Sequence, residues 1–220
     1  SMIMDIYNNE PMIGFYDSTN TAYRILAYNG SNWIDVGGSG ATSGFTSLNT
    51  PDASLKIVGN ELFLAHRTSA ADNIYLRHYN GSAWNLITGI AAPTTAIELS
   101  LDVNGGNAYI FYRDTAQSNN GLLRMFDGSW SQVGPLNGTY SRAPNLIFYN
   151  NIPYVTFQKS TAGSITLRRY ESSTWQTVQE NYSIGNSYTP TIKIYNNRAY
   201  IAFRDNVNAS GASVVVRDLP

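Results

Sequence analysis

The stretch IYNNEPMIGFYD at residues 6–17 returns, altered but recognisable, as IVGNELFLAHRT (57–68), LDVNGGNAYIFYRD (101–114), FYNNIPYVTFQK (148–159) and IYNNRAYIAFRD (194–205). Its last residues, Asp17, Thr68, Asp114, Lys159 and Asp205, stand 51, 46, 45 and 46 positions apart. A second string keeps the same period. YNGSNWIDVG around Trp33, YNGSAWNLI around Trp84, FDGSWSQVG around Trp130 and YESSTWQTV around Trp175 are 51, 46 and 45 residues apart. Two independent markers on one period define a repeat, and a period in this range signals a solenoid or propeller.

Inside each unit the apolar residues alternate, as in Leu55 and Ile57 or Ile192 and Ile194, and no segment sustains a helical stripe. Asn8-Asn9, Asn150-Asn151 and Asn196-Asn197 tolerate positive φ and fit tight hairpins, while Asn29-Gly30, Asn80-Gly81 and Asp127-Gly128 are strong hairpin signals. Each unit therefore reads as a meander of four strands, a to d. In the second unit these fall near Leu55–Val58, Leu62–Arg67, Ile74–Tyr79 and Trp84–Ile87. Four short strands in 40–50 residues describe a propeller blade. The chain opens on strand a and closes on strand c at Val214–Arg217, so the count is five a–b–c sets and four d strands. The expected fold is all-β, a five-bladed β-propeller of four-stranded antiparallel blades whose last blade lacks its outer strand. Residues 1–220 form one domain in this reading; the alternative is a piece of a larger ring or one completed by association.

Composition narrows the function. Charged residues make up 13% of the 220, with 14 basic against 15 acidic and only three lysines, so the footprint of a nucleic-acid or anionic-membrane binder is missing. No apolar run approaches the roughly 18 residues of a membrane helix. With no cysteine, thiolate metal sites, thiol nucleophiles and disulfides are excluded. Ser1-Met2 reads as a cloning remnant, and the abundance of Tyr, Asn, Ser, Thr and Gly suits a secreted or cell-surface bacterial module. Of the five N-x-S/T sequons, at Asn29, Asn80, Asn137, Asn181 and Asn208, the first two coincide with hairpin turns.

At its Y-N-G-S-x-W-x-x-V string the chain resembles the repeats of bacterial secreted β-propeller proteins. In blade number and repeat length it is similar to five-bladed lectins of the tachylectin type, which implies a sugar pocket per blade. No lectin motif transfers binding residues, and the S-x-D-x-G-x-T-W box of sialidases is missing.

Asp17, Asp114 and Asp205 open the b–c loops, beside Arg67, Arg113 and Arg204 at the ends of strand b. These six are the candidate ligand-binding residues: acceptors and donors on a face of variable loops, suited to a glycan or protein ligand. The competing reading makes each Asp the cap of a local turn. Arg77, Arg124, Arg168 and Arg217 recur on strand c; a two-residue turn at Asn80-Gly81 would place Arg77 opposite Trp84 and Arg168 opposite Trp175, with Trp130 facing Met125 in the shorter third turn. The tryptophans read as blade-to-blade packing. His66 and His78 would share one face, but with no third histidine a packed, hydrogen-bonded role is favoured over a metal site. Glu98 and Asp102 are the non-repeated acids that a glycosidase would need. The expectation is a non-catalytic recognition module with no cofactor, free to oligomerise, against the alternatives of a glycoside-processing enzyme or a purely structural repeat.

Overall fold

The computed structural model describes residues 2–38, 52–67, 73–90, 96–159, 163–182 and 187–220. Thr68 and most of the d–a loops around 39–51, 91–95 and 183–186 lie outside them. Five antiparallel sheets follow one another as propeller blades. Blade 1 is β1 (Met2–Tyr7), β2 (Glu10–Asp17), β3 (Ala22–Tyr28) and β4 (Trp33–Asp35), and blade 2 is β5 (Ala53–Val58), β6 (Glu61–Arg67), β7 (Ile74–Tyr79) and β8 (Trp84–Ile90). Blade 3 is β9 (Ala96–Asn104), β10 (Asn107–Asp114), β11 (Asn120–Phe126) and the first part of β12 (Trp130–Tyr149). The rest of β12 opens blade 4, followed by β13 (Ile152–Lys159), β14 (Ser164–Glu171) and β15 (Thr174–Gln179). Blade 5 has three strands, β16 (Ser187–Tyr195), β17 (Arg198–Asp205) and β18 (Gly211–Asp218). The chain is thus a five-bladed β-propeller, with four strands in each of four blades and three in the last.

The a–b turns form where the sequence permits positive φ. Asn8 and Asn9 sit at 51° and 62°, Asn150 and Asn151 at 50° and 63°, and Asn196 and Asn197 at 47° and 57°. These are the paired left-handed residues of the hairpin that matches strand twist. The c–d turns correct the expected register. Tyr79 faces Trp84, not Ser82, and Arg77 faces Leu86. The loop Asn80–Ala83 is wider than two residues because Asn80 Oδ1 accepts the N–H groups of Ser82 and Ala83, both at 3.1 Å. Asn29 does the same for Ser31 and Asn32. Trp175 likewise faces Tyr170, and Trp130 faces Phe126 instead of Met125. A strand-c aromatic therefore lies across from every Trp, with ring centroids 5.2–5.5 Å apart in all four blades. A second correction concerns Gly134–Pro144, which the repeat marks as one of the longer, variable d–a loops. It is not a loop: it lies inside the 20-residue strand β12, which passes from the rim of blade 3 to strand a of blade 4.

The chain divides into two compact units, Ser1–Ala96 and Ile97–Pro220. In the first, Tyr7, Met12, Tyr23 and Ile25 of blade 1 pack on Leu62, Leu64 and Tyr79 of blade 2. In the second, one cluster joins Phe111 and Leu123 of blade 3 to Val155 and Phe157 of blade 4, and another joins Leu167 of blade 4 to Ile192, Ile201 and Phe203 of blade 5. Each such side chain contributes about 1.5–3 kcal/mol when fully buried, so neighbouring faces hold the blades together.

Side chains also satisfy the free edge of strand a in the second unit. Ser100 Oγ accepts the Leu146 N–H at 2.9 Å, Asp102 Oδ2 that of Phe148 at 2.7 Å, and Asn145 Oδ1 that of Ile192 at 3.2 Å. Ser100 and Asn145 occupy equivalent repeat positions, so one device serves two successive blades.

Candidate functional site

The six residues singled out from the sequence are held within their own blades. Asp17 Oδ1 accepts the Thr19 N–H at 3.0 Å, Asp114 Oδ1 that of Ala116 at 2.9 Å, and Asp205 Oδ1 that of Val207 at 3.1 Å. The three are Asx turns, the cap geometry in which a side-chain oxygen binds an amide just ahead. Asn20 donates to Asp17 as well and holds its carboxyl below the usual carboxylate range. Asp114 is 1% exposed, and its Oδ2 has no hydrogen-bond partner among the described residues.

The arginines pair with strand a of the same blade. Arg67 Nε lies 3.2 Å from Asp52 Oδ2, and Arg113 donates to Glu98 Oε1 at 3.0 Å and to Asn119 Oδ1 at 3.2 Å. Asp52 and Glu98 are equivalent in the repeat, so this is one conserved geometry in two blades. Arg204 is exposed, 5.7 Å from the centroid of the Tyr188 ring, and it lines a cleft of about 320 Å³ with Phe203, Thr191 and Ser210. The structure thus places the six residues at corresponding blade corners, and Arg204 borders a cleft.

The two acids considered for hydrolysis have structural partners. Glu98 binds Arg113 through Oε1 and the Ala143 N–H through Oε2, and Asp102, 2% exposed, holds the edge of β12. His66 and His78 do not share a face. His66 pairs with Tyr75 and His78 with Phe63, three residues apart along each strand, so they project to opposite sides. His66 is buried and its Nε2 accepts a hydrogen bond from Arg77 Nε at 3.1 Å. Burial first, and then the Arg77 charge, lower its pKa from 6.5 to about 3, so the imidazole is neutral. Among the described residues no group of three His, Asp or Glu could hold a metal ion.

A different cluster has the shape and chemistry of a binding site. Between the rim of blade 3 and blade 4 lies a cavity of about 420 Å³, walled by the Val133–Leu136 stretch of β12 and by Arg168, Tyr170, Ser173, Thr174 and Trp175. The repeat builds it. Tyr170 stands at the end of β14, Trp175 at the start of β15, and the Ser172-Ser173 turn at φ 53° and 61° brings their rings to 5.3 Å. Tyr170 Oη donates to the Val133 carbonyl at 2.7 Å and Trp175 Nε1 to that of Gly134 at 3.3 Å. The Trp175 ring also meets Phe111 edge-on. Trp175 therefore serves blade packing, as the sequence suggested, and lines the cavity too. Gly134 is required: a Cβ there would fall 2.5 Å from the Tyr170 ring.

Arg168 supplies the polar wall. Its Nη2 donates to Glu180 Oε1 at 2.6 Å, and Lys159 Nζ lies 3.8 Å from Glu180 Oε2. Its Nε is buried with no hydrogen-bond partner among the described residues. The cause lies across the sheet. The strand-c arginines of blades 2 and 3 give Nε to a strand-b acceptor, Arg77 to His66 and Arg124 to the Tyr112 hydroxyl at 3.0 Å. In blade 4 the equivalent residue is Phe157, which accepts nothing, so a donor remains. Reading the sequence found this arginine series but assigned it to Arg–Trp contacts, and Ser173, Thr174 and Glu180 drew no attention. The signal was the polar-to-Phe change two residues before the Asp17 series.

No protein-family model matches the chain, and no curated protein matches it significantly. Solved structures do. The six-bladed fucose-recognising lectin of Aleuria aurantia aligns over 100% of this chain and 77% of its own at 16% identity with a TM-score of 0.66. The lectin SapL1, in complex with α-methyl fucoside, aligns over 96% of this chain and 76% of its own at 14% identity and 0.69. An exo-β-1,3-galactanase from Phanerochaete chrysosporium aligns over 100% of this chain and 60% of its own at 12% identity and 0.62. Lectins and glycosidases alike are among the structures with this fold.

Proposed function

We propose that the protein is a non-catalytic glycan-binding module, reading a hydroxyl-rich ligand in the groove between blades 3 and 4. The observation that carries this is Arg168: a partly buried side chain whose Nε–H has no acceptor among the described residues, beside two aromatic rings and two hydroxyl side chains in an open cavity. A sugar offers hydroxyls to such a donor and to the Glu180 carboxylate, and C–H faces to Trp175. Small-ligand sites combine apolar walls with a few placed polar groups in this way. The lectin neighbours support a glycan as ligand, and their printed ligands make α-fucosides the first class to try. The binding reading is favoured over hydrolysis because Glu98 and Asp102 are engaged in backbone and arginine contacts. Arg204, with its own cleft, is proposed as a second ligand contact, and Asp17, Arg67, Arg113, Asp114 and Asp205 as contacts on the loops of their own blades; a secreted or surface location fits this role.

A glycan array tests the proposal. Wild-type protein should retain a small set of glycans and Arg168→Ala should lose them with its circular dichroism unchanged. Retention by Arg168→Ala, or turnover of common glycosides by the wild type, would overturn it.

A further inference from the structure

The corner where strand b ends carries a repeated ion pair. In blade 2 Arg67 Nε lies 3.2 Å from Asp52 Oδ2, and in blade 3 Arg113 Nη2 donates to Glu98 Oε1 at 3.0 Å. In blade 4 both members are replaced together: Ala143 takes the place of the acid and Gln158 that of the arginine. Blade 5 breaks the pairing. The arginine returns as Arg204, but Thr189 stands where Glu98 would put its carboxylate. The backbone supports this equivalence, because Glu98, Ala143 and Thr189 share a positive φ of 53°, 46° and 49°. In blades 4 and 5 the residue lies within the register shift of strand a, and such a φ is unfavourable for a β-branched side chain. The fold therefore keeps Thr189 at the acid's position although its side chain cannot do the acid's work.

Arg204 is left with weak partners. Its Nη2 donates to Ser210 Oγ at 3.3 Å, its guanidinium lies 5.7 Å from the Tyr188 ring centroid, and no carboxylate pairs with it among the described residues. A guanidinium offers five N–H donors in a planar fork that fits a carboxylate through two parallel bonds. Arg204 borders a cleft of about 320 Å³ that Thr189, Thr191 and Ser210 also line. The lining residues all belong to β16, β17, β18 or the turn before β18, so the cleft is built within blade 5.

We propose that the Arg204 cleft is a carboxylate-binding site that takes the acid group of a uronic-acid sugar. The ligand's carboxylate occupies the place that the Glu98 side chain fills in blade 3, and the Thr191 and Ser210 hydroxyls offer partners to the sugar's own hydroxyls. A neutral sugar would leave the guanidinium charge without a counterion. An acidic one neutralises it, and charge-assisted hydrogen bonds are roughly twice as strong as neutral ones. The inference deepens the glycan reading and rests on it for the kind of molecule that carries the carboxylate. It does not extend to the Arg168 groove, where Glu180 already supplies a carboxylate to the arginine.

The probe is glucuronate, titrated against the full chain and followed by amide-resolved NMR, with glucose as the sugar-only arm and acetate as the carboxylate-only arm. Glucuronate should saturate at millimolar concentration, move the amide signals of Thr191, Arg204 and Ser210, and bind at least about tenfold more tightly than either arm. Arg204→Ala should weaken it by at least about tenfold. Thr189→Glu rebuilds the blade 3 pair at a φ that Glu98 already adopts, so it should block glucuronate and melt no lower than the wild type. This second variant keeps the test decisive should Arg204→Ala disturb the blade. No saturation, acetate bound as tightly as glucuronate, or binding indifferent to both substitutions would overturn the proposal. The two sites fail separately. A neutral glycan should move the Trp175 Nε1 signal instead; its failure to do so, with glucuronate still seated at Arg204, would overturn the groove alone, and the reverse outcome would overturn this cleft alone.

Discussion

Blades 2 and 4 carry the same side chains at the same repeat positions: Arg77, Tyr79 and Trp84 in one, Arg168, Tyr170 and Trp175 in the other. Their packing is alike. Trp84 Nε1 donates to the Val36 carbonyl at 2.8 Å, Trp175 Nε1 to Gly134, and a glycine lies under each tyrosine. Their electrostatics are not alike. Arg77 rests on a buried neutral histidine, while Arg168 reaches out to Glu180 and keeps Nε without an acceptor among the described residues. One residue on strand b, His66 or Phe157, makes the difference. The repeated motif builds the groove, and an unrepeated neighbour decides whether the groove has a donor to offer.

The shared packing should break most severely at the glycines. A Cβ on Gly37 would sit 2.4 Å from the Tyr79 ring, and its φ of +59° already disfavours other residues. Gly37→Val is expected to lose about 3–4 kcal/mol by urea denaturation, from overpacking and backbone strain together. Gly134→Val, without the φ penalty, should lose about 1–3 kcal/mol. Equal losses would mean that backbone conformation adds nothing in blade 2.

The edge-binding acid in blade 3 comes next. Asp102→Ala removes the acceptor of the Phe148 amide and should cost about 1–3 kcal/mol without changing ligand binding. Glu180→Gln should do the opposite, weakening binding with little loss of stability. Denaturation and titration of both variants separate a carboxylate that holds a strand from one that orients an arginine.

Proton linkage distinguishes the two blades more gently. Unfolded, His66 takes a proton near pH 6.5; folded, it does so only near 3. The unfolded chain holds the extra proton across that window, so this group's stability is complete above pH 6.5 and falls as pH drops. The slope approaches about 1.4 kcal/mol per pH unit for one proton. Melting between pH 6.5 and 5, above the carboxylate range, should show the decline, and His66→Phe should flatten it. The reciprocal change, Phe157→His, exchanges a fully buried apolar ring for a polar one and should cost about 1.5–3 kcal/mol, while giving Arg168 an acceptor and reducing ligand affinity.

Much of this architecture was legible in the repeat. The five b strands, the Asn-Asn turns and the three Asx-capping aspartates follow from local chemistry, which a sequence displays directly. The c–d turn of blade 2 was misjudged because Asn80 uses its own side chain to hold a wider loop, which displaced Arg77 by two residues relative to Trp84; in blade 4 the two-residue Ser172-Ser173 turn itself sets Tyr170, not Arg168, opposite Trp175. Strand β12 hid its continuity behind Gly134, Pro135 and Gly138, residues that usually mark loops. The groove itself depends on which strand-b residue faces each arginine, a cross-strand relation that emerges only once the turns are set. The deciding contrast, His66 against Phe157, was visible as letters but not as a pair of environments.

The most direct test titrates one glycan, the strongest binder of an array or α-methyl fucoside, into wild type, Arg77→Ala and Arg168→Ala, each shown folded by circular dichroism. The account predicts saturable binding to the wild type, affinity retained by Arg77→Ala, and a loss of at least about tenfold in Arg168→Ala, the equivalent of one charge-assisted hydrogen bond. Equal losses in both variants, or none in Arg168→Ala, would contradict it.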